Sequence, residues 1–203
     1  MRVTLDEMIA SLSESLTQMG ASVDQLLIAA YATDQADRSD VVAKQQQDID
    51  QHMTAMEELV INVLATQQPV LATDLSVVKG ILLASRQLGH IAHEQRDLTH
   101  LMDQLDILDS PLPSEVTVVL PEVRQVVTES IAAFLHDDRV LADFTFERVG
   151  RLDLVLQAVP TPAHPPTVVP TQQLRLFALR RVLDAAREIA RAAPLYRYMS
   201  VPD

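Results

Sequence analysis

Residues 65–94 read ATQQPVLATDLSVVKGILLASRQLGHIAHE, and this stretch decides the fold. Pro69 lies in a long region of apolar residues at helical spacing, directly after two glutamines. A proline cannot continue a helix from its N-terminal side, but it suits the first turn of the next helix. We therefore predict that one helix ends near Gln67 and that another begins near Pro69 and runs about 35 residues, to Asp106.

The same 3-4 spacing of apolar residues recurs along most of the chain and predicts six helices. Gly20 lies in the middle of the first, where a glycine would allow a neighbouring helix to approach closely. Residues 107–114 hold two prolines and mark a boundary, and residues 160–170 hold five and form a stiff connection. The predicted helices are 4–35, 38–67, 69–106, 115–136, 138–158 and 171–193.

Composition favours an all-α fold. The chain has 203 residues, of which 48% are hydrophobic but only 3% aromatic, and it has only four glycines. A β-sandwich would need more aromatic and β-branched residues in alternation, and more turns. Because the chain has no cysteine, disulfides and thiolate metal sites are excluded.

The formal net charge is −12, which argues against a partner that is a nucleic acid, because phosphates would be repelled. The charge is uneven: residues 1–110 hold 17 acidic and 6 basic residues, whereas residues 111–203 hold 11 and 10. One interpretation of this difference is that the surfaces of the two halves are solvated differently. The other is that the less acidic half contacts an acidic partner or a membrane face. No apolar run is long enough to insert into a membrane, so we expect a soluble, cytoplasmic protein.

An internal repeat divides the chain into two units. Ala29-Ala30-Tyr31, followed by Asp34, matches Ala132-Ala133-Phe134, followed by Asp137, at an offset of 103 residues. Alternate residues from Arg86 to Glu94 match those from Arg180 to Glu188 at an offset of 94 residues. We predict two pseudo-symmetric three-helix bundles of long antiparallel helices, with domains at 1–110 and 111–203.

The sequence of residues 65–94 resembles that of the PhoU family of phosphate-uptake regulators. Four short segments fall in register with the family pattern: Gln67-Gln68-Pro69-Val70, Asp74-Leu75, Val78 and Leu88-Gly89. The resemblance covers nearly the whole chain and implies two three-helix bundles. It also implies a non-enzymatic regulator that contacts the ATPase of a phosphate ABC transporter and a membrane sensor histidine kinase, and that forms homo-oligomers such as a homodimer.

PhoU-type proteins carry four acidic pairs with i, i+4 spacing, which places both carboxylates on one helix face as ligands for divalent or ferric ions. In this sequence every pair lacks its first acid. By resemblance, the remaining candidate metal ligands are Asp50, His90, Asp153 and Asp184. The positions read Gln46-x-x-x-Asp50, Arg86-x-x-x-His90, Val149-x-x-x-Asp153 and Arg180-x-x-x-Asp184.

An arginine stands in each unit where the family has a glutamate on the third helix. We predict that Arg86 pairs with Asp50 and Arg180 with Asp153, so that the guanidinium groups supply the positive charge of the lost metals and no cofactor is needed. One alternative is that the side chains at these positions merely face solvent and have diverged from the family pattern. The other is that Asp50 and His90 hold a single metal ion.

The third helix also carries a polar stripe within about 80° of arc at 100° per residue, formed by His90, His93, Asp97 and His100. Imidazoles on one face suit zinc or nickel, although a face turned to water is the simpler interpretation. No nucleotide-binding, P-loop or serine-hydrolase motif is present, which argues against an enzyme. The alternatives to phosphate regulation are a diverged helical scaffold with another partner and a metal-binding protein that uses this stripe.

Overall fold

The computed structural model describes residues 2–32, 38–66, 72–105, 112, 114–159 and 171–192. This part of the chain consists of six helices and contains no strand, which confirms the predicted all-α class. The helices are α1 (Arg2–Ala30), α2 (Arg38–Thr66), α3 (Ala72–Gln104), α4 (Ser114–Leu135), α5 (Arg139–Ala158) and α6 (Thr171–Ala192).

The helix bounds agree with the sequence pattern except at two ends. α1 ends at Ala30 instead of residue 35, and an i+3 hydrogen bond from the Ala32 N–H to the Ala29 carbonyl closes its last turn. α3 begins at Ala72, three residues after Pro69, which itself lies outside the described residues. α3 has 33 residues, slightly fewer than predicted for this helix.

A tight turn joins α4 to α5. The Asp138 N–H bonds to the Ala133 carbonyl at 2.9 Å and the Asp137 N–H to the Phe134 carbonyl at 3.3 Å, which is the Schellman pattern of a helix C-terminus. Asp137 takes the left-handed conformation that this pattern needs, with φ of 48°. The Asp138 carboxylate then accepts a 2.9 Å hydrogen bond from the Leu141 N–H and caps α5.

The helices pack as two three-helix units that share one core. α1, α2 and α3 pack on one another, as do α4, α5 and α6, while α3 packs on α6 and α1 on α4 between the units. The buried apolar side chains form a continuous cluster with members on all six helices. The boundary predicted between residues 110 and 111 lies outside the described residues, and the division into domains stays a prediction.

Glycines allow the two units to approach closely. A Cβ on Gly20 would lie 2.6 Å from Ile131 Cδ1, and a Cβ on Gly80 would lie 2.7 Å from Phe134 Cε2. Ile131 and Phe134 are both on α4, so α1 and α3 each use a glycine to receive an apolar side chain from the other unit. The prediction that Gly20 permits a close helix contact is confirmed.

None of the helices in the described ranges combines the length and the apolar character that crossing a lipid bilayer requires.

Candidate functional site

The family motif positions of the second unit form a compact polar contact between α5 and α6. Arg180 Nε lies 2.8 Å from Asp153 Oδ1, and Gln157 Nε2 donates to Asp153 Oδ2 at 2.8 Å. Both carboxylate oxygens of Asp153 are therefore engaged by side chains of the protein. The contact is partly exposed: the Asp153 side chain is 25% accessible and the Arg180 side chain 44%. The structure thus places Arg180 beside Asp153, as expected for the proposed ion pair.

The equivalent place in the first unit is built from different residues. Gln46 Nε2 donates a hydrogen bond to Asp50 Oδ2 and lies 3.3 Å from His93 Nδ1. Since an amide nitrogen only donates, this contact assigns Nδ1 as the acceptor and puts the proton of the neutral ring on Nε2. His93 Nε2 faces Asp50 Oδ1 at 3.9 Å, and that buried oxygen accepts no hydrogen bond from the described residues.

Arg86 does not take part in this contact, which corrects the predicted Arg86–Asp50 pair. The Arg86 side chain is exposed and forms no ion pair in the part of the chain that the structure describes. The nearest guanidinium in the network is Arg96, whose Nη1 donates to Gln46 Oε1 at 3.3 Å. Arg96 also binds Asp97 at 2.7 Å.

The correction follows from the register of α2 against α3. His93 lies opposite Asp50, whereas Arg86 is seven residues, or about 10 Å, earlier along α3. A Cβ on Gly89 would lie 3.1 Å from Met53 Sδ, which places Met53 against the turn that precedes His93. His93 therefore faces Asp50 as Arg180 faces Asp153. The repeat alignment of Arg86 with Arg180 still holds between α3 and α6, because the residues that line the cleft between these helices match one another at the same offset of 94.

His90 and Asp184 meet in another place, a cleft between the two units. They line a cavity of about 260 Å³ between α3 and α6, together with Glu94, Arg181 and Glu188. Arg181 Nε binds Glu94 Oε1 at 2.9 Å across this cleft, and Arg187 binds Asp184 at 3.1 Å. His90 thus lies on the α6 side of α3, away from the contact that His93 makes with Asp50 and Gln46 on α2. This placement corrects the alternative in which His90 and Asp50 share a metal ion.

The three histidines of the α3 stripe have different neighbours. His90 lines the cleft toward α6, His93 contacts Gln46 on α2, and His100 Nε2 lies 2.9 Å from Gln104 Nε2 in the next turn. Among the described residues, no three histidine or carboxylate side chains come together in a way that could hold a metal ion. The described residues therefore do not fit the metal clusters that the resemblance to the PhoU family implies.

Two contacts between the units were not foreseen from the sequence. Arg124 on α4 makes a two-pronged ion pair with Asp24 on α1, with N–O distances of 2.6 and 2.7 Å. The hydrogen bond from Arg124 to Asp24 raises the pKa of the guanidinium. Such pairs join residues about a hundred positions apart, and neither spacing nor residue type in a single sequence indicates them.

Tyr31 closes the end of the junction between the units. Its hydroxyl donates a 3.4 Å hydrogen bond to the backbone carbonyl of Arg175 on α6, and the side chain is 5% exposed. Burial raises the pKa of the Tyr31 hydroxyl well above its ordinary value, because the phenolate would lose its hydration. The C-terminal end of α1 is therefore tied to the second unit by a neutral phenol.

The fold is shared with a solved structure. The crystal structure of PhoU from Pseudomonas aeruginosa matches this chain with a TM-score of 0.64 and 21% sequence identity, over 95% of each chain. At this identity the likeness shows the PhoU-like fold. No family model and no curated protein matches the sequence.

Proposed function

We propose that this chain is a non-enzymatic, cytoplasmic regulator of phosphate uptake. It would act by contact with the ATPase of a phosphate ABC transporter and with a membrane sensor histidine kinase. The observation that carries the proposal is the fold shared with PhoU from Pseudomonas aeruginosa over 95% of both chains. The segments around Pro69 that resemble the PhoU family support the same assignment from the sequence.

The surroundings of the motif carboxylates support a scaffold more than a catalyst. Asp153 is held by Arg180 and Gln157, and Asp50 accepts from Gln46. A general acid or base needs a carboxyl group that is free to exchange its proton with a substrate. These carboxylates are instead engaged by neighbouring side chains, as expected for groups that fix the position of one helix against another.

We further propose that Arg180 takes the place of a metal ion beside Asp153. Its guanidinium supplies positive charge 2.8 Å from a carboxylate that belongs, by resemblance, to a metal-binding motif. In the first unit the same place is held by neutral and weakly basic groups, Gln46 and His93, with Arg96 behind them. The two units would therefore have replaced their metals in different ways.

Metal content tests this substitution. Protein purified without a histidine tag is compared by elemental analysis with an Asp50→Ala/Asp153→Ala double variant. We expect no stoichiometric metal in either sample. About one metal ion or more per chain, lost in the double variant, would show that the motif positions still bind metal and that Arg180 has not replaced it.

The regulatory function is tested in the organism that encodes the chain. We expect the tagged protein to co-purify with the phosphate transporter ATPase and the sensor kinase, and deletion of its gene to uncouple phosphate uptake from external phosphate. An ATPase from an unrelated ABC transporter of the same organism serves as the matched negative control. Unchanged phosphate uptake in the deletion strain, with neither protein recovered, would instead favour a diverged PhoU-like scaffold with another partner.

A further inference from the structure

The outward face of α5 carries a seam of exposed residues that the fold does not use. Its members follow one another at alternating spacings of four and three, which keeps them on one side of the helix. Val140 is 81% exposed, Phe144 50% and Leu154 65%. We call this set the α5 seam: Val140, Phe144, Glu147, Arg151, Leu154 and Ala158.

The first unit provides an internal comparison. α2 packs on α1 and α3 as α5 packs on α4 and α6, so the two helices hold equivalent outer positions. The exposed residues of α2 at this spacing are the polar Gln47, Gln51, Thr54 and Glu58, followed by the apolar Ile61, which is 65% exposed. The outer face of α2 is therefore polar over about three turns and has one apolar residue at its end, whereas the outer face of α5 has exposed apolar residues on both sides of its charged centre.

The α5 seam is complementary to itself in an antiparallel arrangement. Around a twofold axis that passes between Glu147 and Arg151, Glu147 faces Arg151 of the second copy, and Arg151 faces its Glu147. Phe144 then faces Leu154 of the second copy, and Val140 faces its Ala158. Within the described residues neither Glu147 nor Arg151 forms an ion pair, although the two are four residues apart on one helix.

We propose that the α5 seam is the contact surface of a homodimer in which two copies of α5 pack antiparallel. A twofold contact uses the same patch on both subunits, so the patch must complement itself, as this one does. Its centre carries two Glu147–Arg151 pairs and its flanks carry the apolar residues that leave water. A parallel pairing in register would instead place Glu147 on Glu147 and Arg151 on Arg151, which like-charge repulsion disfavours.

The charge distribution of the chain also favours this face for self-association. Residues 1–110 hold 17 acidic and 6 basic residues, whereas residues 111–203 hold 11 and 10. Two copies that meet through their second units therefore avoid the repulsion that would oppose contact between their first units. This proposal rests on the surface of α5 and on the charge of the two halves, and it does not depend on the regulatory function.

Charge exchange tests both the surface and the register. The mass of the full chain is measured by sedimentation over roughly 1 to 200 µM, because interfaces of modest size dissociate in the micromolar range. Glu147→Arg and Arg151→Glu should each weaken the dimer about tenfold or more, since each variant places like charges together. An equimolar mixture of the two variants should regain the wild-type dimer, because both pairs are then restored.

Two controls distinguish the α5 seam from other surfaces. Lys44→Glu reverses an exposed charge on α2 and should leave the mass distribution unchanged. Because the chain has no cysteine, the double variant Phe144→Cys/Leu154→Cys should form crosslinked dimers on oxidation, while either single variant should not. A protein that stays monomeric at the highest concentration, or a dimer that Glu147→Arg does not weaken, would overturn the proposal.

Discussion

Alanine substitutions at three helix glycines should have three different effects on stability. In a helix interior, replacing glycine by alanine stabilises a protein by about 1 kcal/mol, because alanine has the better helix propensity. The space around each glycine then decides how much of this gain remains. In this chain that space differs sharply at Gly150, Gly20 and Gly80.

At Gly150 a Cβ would meet no atom within 4 Å, so Gly150→Ala should keep the full gain of about 1 kcal/mol. At Gly20 the added carbon would lie 2.6 Å from Ile131 Cδ1, the end of a flexible side chain. A strained rotamer costs about 0.5–1.5 kcal/mol, so Gly20→Ala should be close to neutral.

At Gly80 the added carbon would lie 2.7 and 2.9 Å from two ring atoms of Phe134, which is fully buried. A rigid ring without free space cannot move aside, and overpacking costs about 1–3 kcal/mol. After the propensity gain, Gly80→Ala should destabilise the protein by up to about 2 kcal/mol.

Urea unfolding of dilute protein, followed by far-UV circular dichroism, measures the three free energies of unfolding. The slope against urea should stay constant while the midpoints shift in the order Gly150→Ala, Gly20→Ala, Gly80→Ala, with the last unfolding first. The double variant Gly80→Ala/Phe134→Leu should have a free energy of unfolding about 1 kcal/mol higher than the sum of the two single effects predicts. Equal shifts in all three alanine variants would refute the packing argument and leave propensity alone as the cause.

Three further predictions concern the ends and junctions of the helices. Asp138→Ala should destabilise the protein by about 1 kcal/mol in urea unfolding, because the Leu141 N–H loses its cap; equal loss in Asp138→Asn would contradict this. Since Tyr31 has a raised pKa when folded, its neutral form stabilises the fold below about pH 10, and this contribution falls by about 1.4 kcal/mol per pH unit above it. The free energy of unfolding should therefore fall less steeply above pH 10 in Tyr31→Phe than in wild type, and parallel curves would disprove the reasoning. A double-mutant cycle with Arg124→Met and Asp24→Asn should give a coupling of about 1 kcal/mol that decreases in salt, whereas zero coupling would mean that the pair does not help hold the units together.

The apolar periodicity of the sequence was enough to predict the helices, because a helix needs only one buried stripe to pack. It also explained Gly20. A glycine in the middle of a helix lowers the helix propensity, so its presence there indicates that a neighbouring helix packs closely against it. The ion pairs between the units, such as Arg181–Glu94, could not be predicted, because pattern within one helix carries no information about which helix lies across from it.

The pairing of Arg86 with Asp50 failed for a particular physical reason. Seven residues make almost two whole turns, so a shift of α3 by seven residues against α2 leaves every apolar residue on its original face. The apolar pattern of α3 therefore does not show whether Arg86 or His93 lies opposite Asp50. The contact of Met53 with Gly89 and the opposition of His93 to Asp50 fix the register of α2 against α3.

The core that runs through both units makes the two repeats halves of one folding unit. Ile131 fits against Gly20 and Phe134 against Gly80, so a chain cut between the units would leave each half with an uncovered apolar surface that only the other half can cover. The halves should melt in a single transition, and two separate fragments should find each other when mixed. An ancestor with one three-helix unit would have met the same requirement by pairing with its own copy. Duplication of its gene then converts a meeting of two molecules into a contact within one chain, which no longer depends on protein concentration.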